Sequence, residues 1–318
     1  MEQNIIPVFF AIDDNYVPFF SVALASAIEN SSPGRSYRAI VLHRGLKEEN
    51  RRILSAMAAP HFAVDFVPMG EGLEAITDSA ENRMRCDEFT LTIFFRLFIP
   101  QMFPQYDKGI YLDSDIVVNG DLAELYDTEL EGNYLGACAD LSVSDVPPLA
   151  AYMEQAVGVS SERYINSGVL LMNLKELRRA RLHSRFLSLL ETYHFDSVAP
   201  DQDYLNAMCK DKIRYLSPDW DAMPNPRQPR LSDPKLIHYN LFSKPWCYDG
   251  IRYEEYFWNY ADSSAFAKQL REYKQNFTEE QKAADALCLQ RLIRKAETIT
   301  ASPMTFRKMA ENGVKIRL

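Results

Sequence analysis

Apolar residues come in short blocks along the chain. Residues 5–12 (Ile-Ile-Pro-Val-Phe-Phe-Ala-Ile) run apolar without a break and stop at Asp13 and Asp14, as a buried strand does. Residues 17–29 set Phe20, Ala23, Leu24, Ala27 and Ile28 at helical spacing, which predicts a helix. After a loop over 30–34, residues 37–42 and 62–67 read as further strands, with a helix over 47–59 between them. This alternation marks an α/β domain with a parallel sheet. Beyond it the pattern predicts a polar loop over 70–87 and a helix over 89–98. Strands follow over 109–112, 134–139 and 169–173, and helices over 175–181, 184–194 and 202–210. Residues 216–245 are crowded with proline and show no period. An irregular segment of that length is usually functional or disordered.

Composition narrows the class. The chain has 318 residues, 47% hydrophobic and 25% charged, enough for one large domain or two ordinary ones and unlike a disordered or low-complexity chain. No apolar run approaches the roughly 18–20 residues that span a bilayer. The start has no basic stretch ahead of its apolar run, so a secretory leader is not expected and a cytoplasmic location is. A net charge of −9 argues against a sequence-independent nucleic-acid binder. An anionic ligand would need a local metal or a few placed Lys and Arg. Residues 265–318 reverse the balance, with 11 Lys/Arg against 6 Asp/Glu on a helical pattern. They read first as a solvated helical cap, and second as a basic surface making peripheral contact with the inner face of a membrane. The cysteines, Cys86, Cys138, Cys209, Cys247 and Cys288, form no C-x-x-C pair. Free buried thiols in a reducing compartment are therefore expected.

Candidate chemistry begins with carboxylates. A D-x-D triplet on an extended strand puts two carboxylates on one side, where they can share a divalent cation. The chain has three: Asp113/Asp115, Asp201/Asp203 and Asp219/Asp221. Only the first follows a clean strand, Gly-Ile-Tyr-Leu, and so sits at a strand's carboxyl end, where open α/β sheets bind ligands. The alternative there is a solvated turn. The first strand also exits into polar residues, Asp13, Asp14, Asn15 and then Tyr16, suited to a ring edge, ribose hydroxyls and stacking, or equally to capping a helix. Arg96 lies in an otherwise apolar helix and needs an anionic partner or a route to solvent. His238 and Lys244 are by themselves as compatible with structural as with functional roles. G-x-G-x-x-G, a Walker A loop, G-x-S-x-G and H-E-x-x-H are all absent, which removes dinucleotide, P-loop, serine-hydrolase and zincin readings.

In order, Phe-Phe-Ala-Ile-Asp-Asp-Asn-Tyr (9–16), Tyr-Leu-Asp-Ser-Asp (111–115), Tyr-Ile-Asn-Ser-Gly-Val-Leu-Leu-Met-Asn-Leu (164–174), Asp-Gln-Asp-Tyr-Leu-Asn (201–206) and His-Tyr-Asn…Lys-Pro-Trp (238–246) resemble glycosyltransferase family 8. That group holds bacterial lipooligosaccharide galactosyltransferases, related glucosyltransferases and glycogenin. The resemblance implies a GT-A fold of α/β class with a mostly parallel central sheet. The catalytic domain would cover 1–264, its nucleotide part to about 120 and its acceptor part beyond, followed by a helical tail over 265–318. It implies a retaining hexosyltransferase using UDP-glucose or UDP-galactose, with Mn²⁺ preferred and Mg²⁺ second, on a glycan or glycolipid of the cell surface. Asp113, Asp115 and His238 would be metal ligands. Ala11, Asp13, Asn15 and Tyr16 would hold uridine and ribose, with Ser114 also on the donor. Lys244 would contact the diphosphate. Arg96, Asp201, Asp140 and Asn166 would face the donor sugar, and Gln202 would lie beside the anomeric carbon, with Asp201 the alternative catalytic group. A self-glucosylating glycogenin-like initiator and a non-catalytic nucleotide-sugar binder are the alternatives. One departure stands out: many members carry Gly where this chain has Leu241.

Overall fold

The computed structural model describes residues 5–70 and 91–318. Its centre is a seven-stranded sheet of order β3-β2-β1-β4-β7-β6-β8. Strands β1 (Ile5–Ala11), β2 (Ser36–His43), β3 (Phe62–Pro68) and β4 (Gly109–Leu112) run parallel. Strand β7 (Ile165–Met172) runs against both β4 and β6 (Leu135–Ala139), and β8 (Ile213–Tyr215) parallels β6. A second, two-stranded sheet pairs β5 (Ile116–Val118) with β9 (Leu236–His238). This is the mixed α/β architecture, mostly parallel, that the sequence led us to expect.

The unbroken apolar run of β1 has a simple cause. Side chains alternate across a sheet, and both faces of this one are covered. Phe9, Ile40, Leu42 and Tyr111 feed one core, while Val8, Phe10, Val41 and Ile110 feed the other. Helix α1 (Val17–Glu29) packs Phe20, Ala23, Leu24 and Ala27 into the second core. α2 (Glu48–Ser55) follows β2. The helix predicted over 89–98 is a 3₁₀ turn at Leu91–Phe94 running into α3 (Phe95–Met102). α4 (Leu122–Tyr126), α5 (Pro147–Tyr152), α6 (Leu174–Arg179) and α7 (Leu182–Tyr193) lead to α8 (Pro200–Cys209). The polar loop expected over 70–87 lies, past Gly70, outside the described residues.

Two expectations change. The proline-rich segment 216–245 is not featureless: a 3₁₀ turn at Pro218–Asp221 and strand β9 lie within it. And Cys288 is disulfide-bonded, so thiols free throughout are not what the fold holds; Cys138, Cys209 and Cys247 are free and buried.

The basic stretch forms α10 (Ala267–Gln275), α11 (Glu279–Ala301) and α12 (Phe306–Glu311), after α9 (Glu254–Ala261). A capping box at Thr278 and Gln281 starts α11. Leu292, Ala296, Ile299, Phe306 and Ile316 are buried in the same core as Phe94 and Tyr204. Phe306 packs 4.2 Å from Phe195 and 4.9 Å from Tyr204, centroid to centroid. No helix among the described residues is long and apolar enough to cross a membrane.

Candidate active site

Parallel pairing of β1 with β4 (Phe9 opposite Tyr111) brings their carboxyl ends together, so residues 11–16 and 113–115 share one edge. β7 runs the other way, with Val169 opposite Leu112, so its amino end meets the same edge. The Asp113 amide donates to the Gly168 carbonyl at 2.7 Å. β9 delivers the last piece: His238 pairs with Ile116, just past Asp115. Between these ends lies a cleft of about 360 Å³. Ala11, Asp13, Asn15, Tyr16, Arg96, Asp113, Ser114, Asp115, Asn166, Asp201, Gln202, His238 and Lys244 all line it, as does Leu241.

One ligand atom from each of Asp113, Asp115 and His238 lies within 4.8 Å of the others. His238 Nε2 is 3.3 Å from Asp115 Oδ1 and 3.8 Å from Asp113 Oδ2. Two observations say that a cation fits there. Asp115 Oδ1 is buried with no hydrogen-bond partner among the described residues. And Gly168 leaves the centre open: a Cβ on it would stand 2.3 Å from His238 Cε1 and 2.6 Å from Asp113 Oδ2. Two carboxylates and an imidazole suit Mn²⁺ better than the all-oxygen preference of Mg²⁺.

Charges around the cluster are balanced by protein. Burial works against the Asp115 carboxylate, but Lys244 and His238 outweigh it and hold this carboxyl far below the usual range. Burial likewise disfavours the His238 imidazolium, yet Asp115 and Asp221 push the ring up to about 10. A cation among these ligands would take that proton's place. Lys244 Nζ bonds Asp115 and the Tyr239 carbonyl.

Arg96 answers the question its apolar helix raised. It is 4% exposed and donates to Asp113 Oδ1 at 2.8 Å and to Ser167 Oγ at 2.9 Å. Its Nε is 3.1 Å from Asp201 Oδ2, and its guanidinium lies over the Tyr111 ring at 4.3 Å. Burial opposes its charge, but Asp113 and Asp201 keep it firmly protonated. The residue therefore ties the first D-x-D to the helix that bears Asp201 and Gln202.

On that helix, Gln202 Oε1 accepts from the Ser167 amide at 2.9 Å and Gln202 Nε2 donates to Asp140 Oδ2 at 2.9 Å. Asp140 is fully buried behind the cleft, where it also accepts from Asn166 Nδ2 at 3.2 Å; it is not among the lining residues. Asp203 turns away from the cleft. It accepts from Tyr152 Oη at 2.6 Å, Tyr164 Oη at 2.5 Å and the amides of Val198 and Ala199 at 3.2 and 3.1 Å, anchoring the start of α8. Asp13 Oδ1 caps the amides of Asn15 and Tyr16 at 2.9 and 3.1 Å, and the exposed Tyr16 ring leans on Phe19. Sequence reasoning missed Ser167 and Asp221. Ser167 lies within the 164–174 segment, where a serine next to Asn166 and Gly168 carries no signal of its own. Asp221 Oδ1 lies 3.0 Å from His238 Nδ1, although its D-x-D occupies a 3₁₀ turn rather than a strand exit.

At Leu241 the backbone takes φ +56°, the left-handed region in which glycine is at ease. The chain thus keeps a glycine-type backbone here while placing an isobutyl group in the cleft.

Comparison with known proteins points one way. The sequence model of "Glycosyl transferase family 8" matches residues 7–250. A Haemophilus influenzae relative is 26% identical over 221 residues, 69% of this chain and 64% of its own length. The lipopolysaccharide 1,2-glucosyltransferase of Escherichia coli is 27% identical over 262 residues, 77% of this chain and 74% of that protein. The solved galactosyltransferase LgtC, held with donor and acceptor sugar analogs, superposes with a TM-score of 0.70 at 27% identity. That superposition covers 88% of this chain and all of LgtC.

Proposed function

Because this chain belongs to glycosyltransferase family 8 and has the GT-A fold, we propose that it transfers a hexose, glucose or galactose, from a UDP-sugar to a glycan or glycolipid acceptor with retention at the anomeric carbon. The observation that carries this reading is the meeting of Asp113, Asp115 and His238 around a buried carboxylate oxygen, Asp115 Oδ1, that faces the imidazole and accepts no hydrogen bond among the described residues. These three would hold a divalent cation, Mn²⁺ before Mg²⁺. When bound, the cation supplies positive charge where the departing UDP gains negative charge.

The chain's own groups do the rest. Ala11, Asp13, Asn15 and Tyr16 would take uridine and ribose, with Tyr16 offering a flat face and Ser114 a hydroxyl close by. Lys244 already faces anionic Asp115, and a diphosphate beside it adds a second anionic partner. Arg96 and Asp201 would orient the sugar, with Asn166 and Asp140 fixing the floor beneath it. Gln202 is an amide, a poor nucleophile, and the protein engages both its ends: the Ser167 amide donates to its oxygen, and its nitrogen donates to Asp140. We therefore assign it to positioning and favour front-face transfer, in which the acceptor hydroxyl attacks on the side UDP leaves and a phosphate oxygen takes its proton. Asp201 as a nucleophile is the lesser reading, because Arg96 and Ser167 already engage its carboxylate. The setting would be cell-surface polysaccharide synthesis on the cytoplasmic side, with the basic helices 265–318 near anionic lipid.

The test is UDP release from UDP-glucose and UDP-galactose with and without Mn²⁺. Turnover of one donor that EDTA abolishes is expected. UDP binding without turnover of either donor across a broad acceptor panel would replace this reading with a non-catalytic binding protein. A trapped covalent sugar–enzyme adduct would overturn the front-face route.

A further inference from the structure

We propose that Asp221 is a positioning residue for the metal centre: it fixes the tautomer and ring direction of His238, so that Nε2 offers its lone pair to the cation. The inference rests on the metal-dependent reading above and adds a residue to it that the family likeness does not mark and that the sequence offers only as a D-x-D match with no strand before it.

The two ring nitrogens of His238 face different groups. Nε2 looks into the cleft toward Asp115 and Asp113, while Nδ1 lies 3.0 Å from Asp221 Oδ1. Asp221 itself is 2% exposed and does not line the cleft, so a ligand there cannot touch it. Its second oxygen, Oδ2, has no hydrogen-bond partner among the described residues. A carboxylate taken out of water with one hydrogen bond is costly unless its partner carries positive charge. The imidazole is the partner, and a ring bound to a cation through Nε2 provides that charge. The arrangement is carboxylate, then imidazole, then metal, in which the outer acid sets the proton on the far nitrogen and raises ligand basicity. The backbone holds the acid and the ring together. The amide of Ala222, next to Asp221, donates to Leu236 at 2.9 Å, and the His238 amide donates back to Ala222 at 2.9 Å.

Asp221→Asn keeps the shape and removes the charge. With UDP present, Mn²⁺ affinity read from the free-Mn²⁺ EPR signal should fall about 10- to 100-fold. Uridine binding without metal and the melting temperature should hold, since a purely structural role would lower those as well. Unchanged Mn²⁺ affinity overturns the inference while leaving the metal site standing. If the wild-type protein with UDP takes up no Mn²⁺, the metal reading itself fails and this inference with it. Should Asp221→Asn not fold, the wild-type protein decides. Nitrogen-15 NMR of the Cd²⁺-loaded enzyme should show His238 with its proton on Nδ1 and the metal on Nε2. The reverse assignment overturns the inference.

Discussion

Gln202 and Asp140 are joined by a 2.9 Å hydrogen bond from the amide to a fully buried carboxylate. Its direction matters, because only an amide can donate there. Gln202→Glu would set two carboxyls against each other, and one must then keep a proton to well above the usual carboxylate range. A carboxyl raised in the folded state stabilises the protein at low pH and costs it stability as pH rises past the unfolded value. The melting temperature of Gln202→Glu should therefore fall further behind wild type between pH 5 and pH 8. A constant gap would mean that the two side chains are not in contact in solution.

Among the described glycines, Gly168 is the one where an added methyl group would meet its nearest neighbour most closely. Its Cβ would enter the space between His238 and Asp113. Gly168→Ala should cost about 1–3 kcal/mol of folding stability through overpacking. It should also weaken Mn²⁺ binding at least about tenfold, as disturbance around metal ligands does. Denaturant unfolding and metal titration measure the two effects, and an intact metal affinity would show that the cleft relaxes around the methyl.

Leu241 separates backbone from side chain. Leu241→Gly and Leu241→Ala both lose the isobutyl packing and differ by one methyl group, so their difference chiefly reports the left-handed backbone against glycine's greater freedom when unfolded. Glycine should be the more stable of the pair by about 1 kcal/mol. Equal stabilities would mean that the loop leaves this conformation when the isobutyl group is gone.

Cys209 gives a pH signature far from the site. Burial pushes its thiol up to about 12. Unfolding returns it to about 8.5, so from there to about 12 the unfolded chain binds fewer protons than the folded one. Stability then falls as pH rises, by up to about 1.4 kcal/mol per pH unit from this one group. Urea unfolding between pH 8 and pH 10.5 should show a shallower fall for Cys209→Ala than for wild type; identical slopes would sink the expectation.

The pattern of apolar positions located β1, α1, β2 and β3 to within a few residues, because α1 buries a face whose period appears in the sequence and the strands of a sheet covered on both faces read as short apolar runs. Asp113 and Asp115 were readable for the same reason, since a clean strand ends at them. β7 begins earlier than its apolar core suggested. Asn166 and Ser167 look like loop residues, yet their backbones continue the strand while their side chains bond Asp140 and Arg96. His238 had no pattern to announce it. β9 is three residues in a proline-rich stretch and exists because β5 pairs with it, a contact distant in sequence. Only the family likeness singled it out. Asp221 showed only as half of a D-x-D with no strand before it, because its importance comes from facing the back of an imidazole.

The docking of Phe306 on Tyr204, and of the Leu318 amide on the Met208 carbonyl at 3.1 Å, makes the carboxyl-terminal helices a brace for the helix that carries Gln202. A minimal fragment cut at the family boundary near residue 250 would strip Phe306 from Phe195 and Tyr204 and open that side of them to water. Trimming for crystallisation or assay is therefore better confined to exposed loops, and a low yield from such a fragment would reflect a missing wall, not a missing activity.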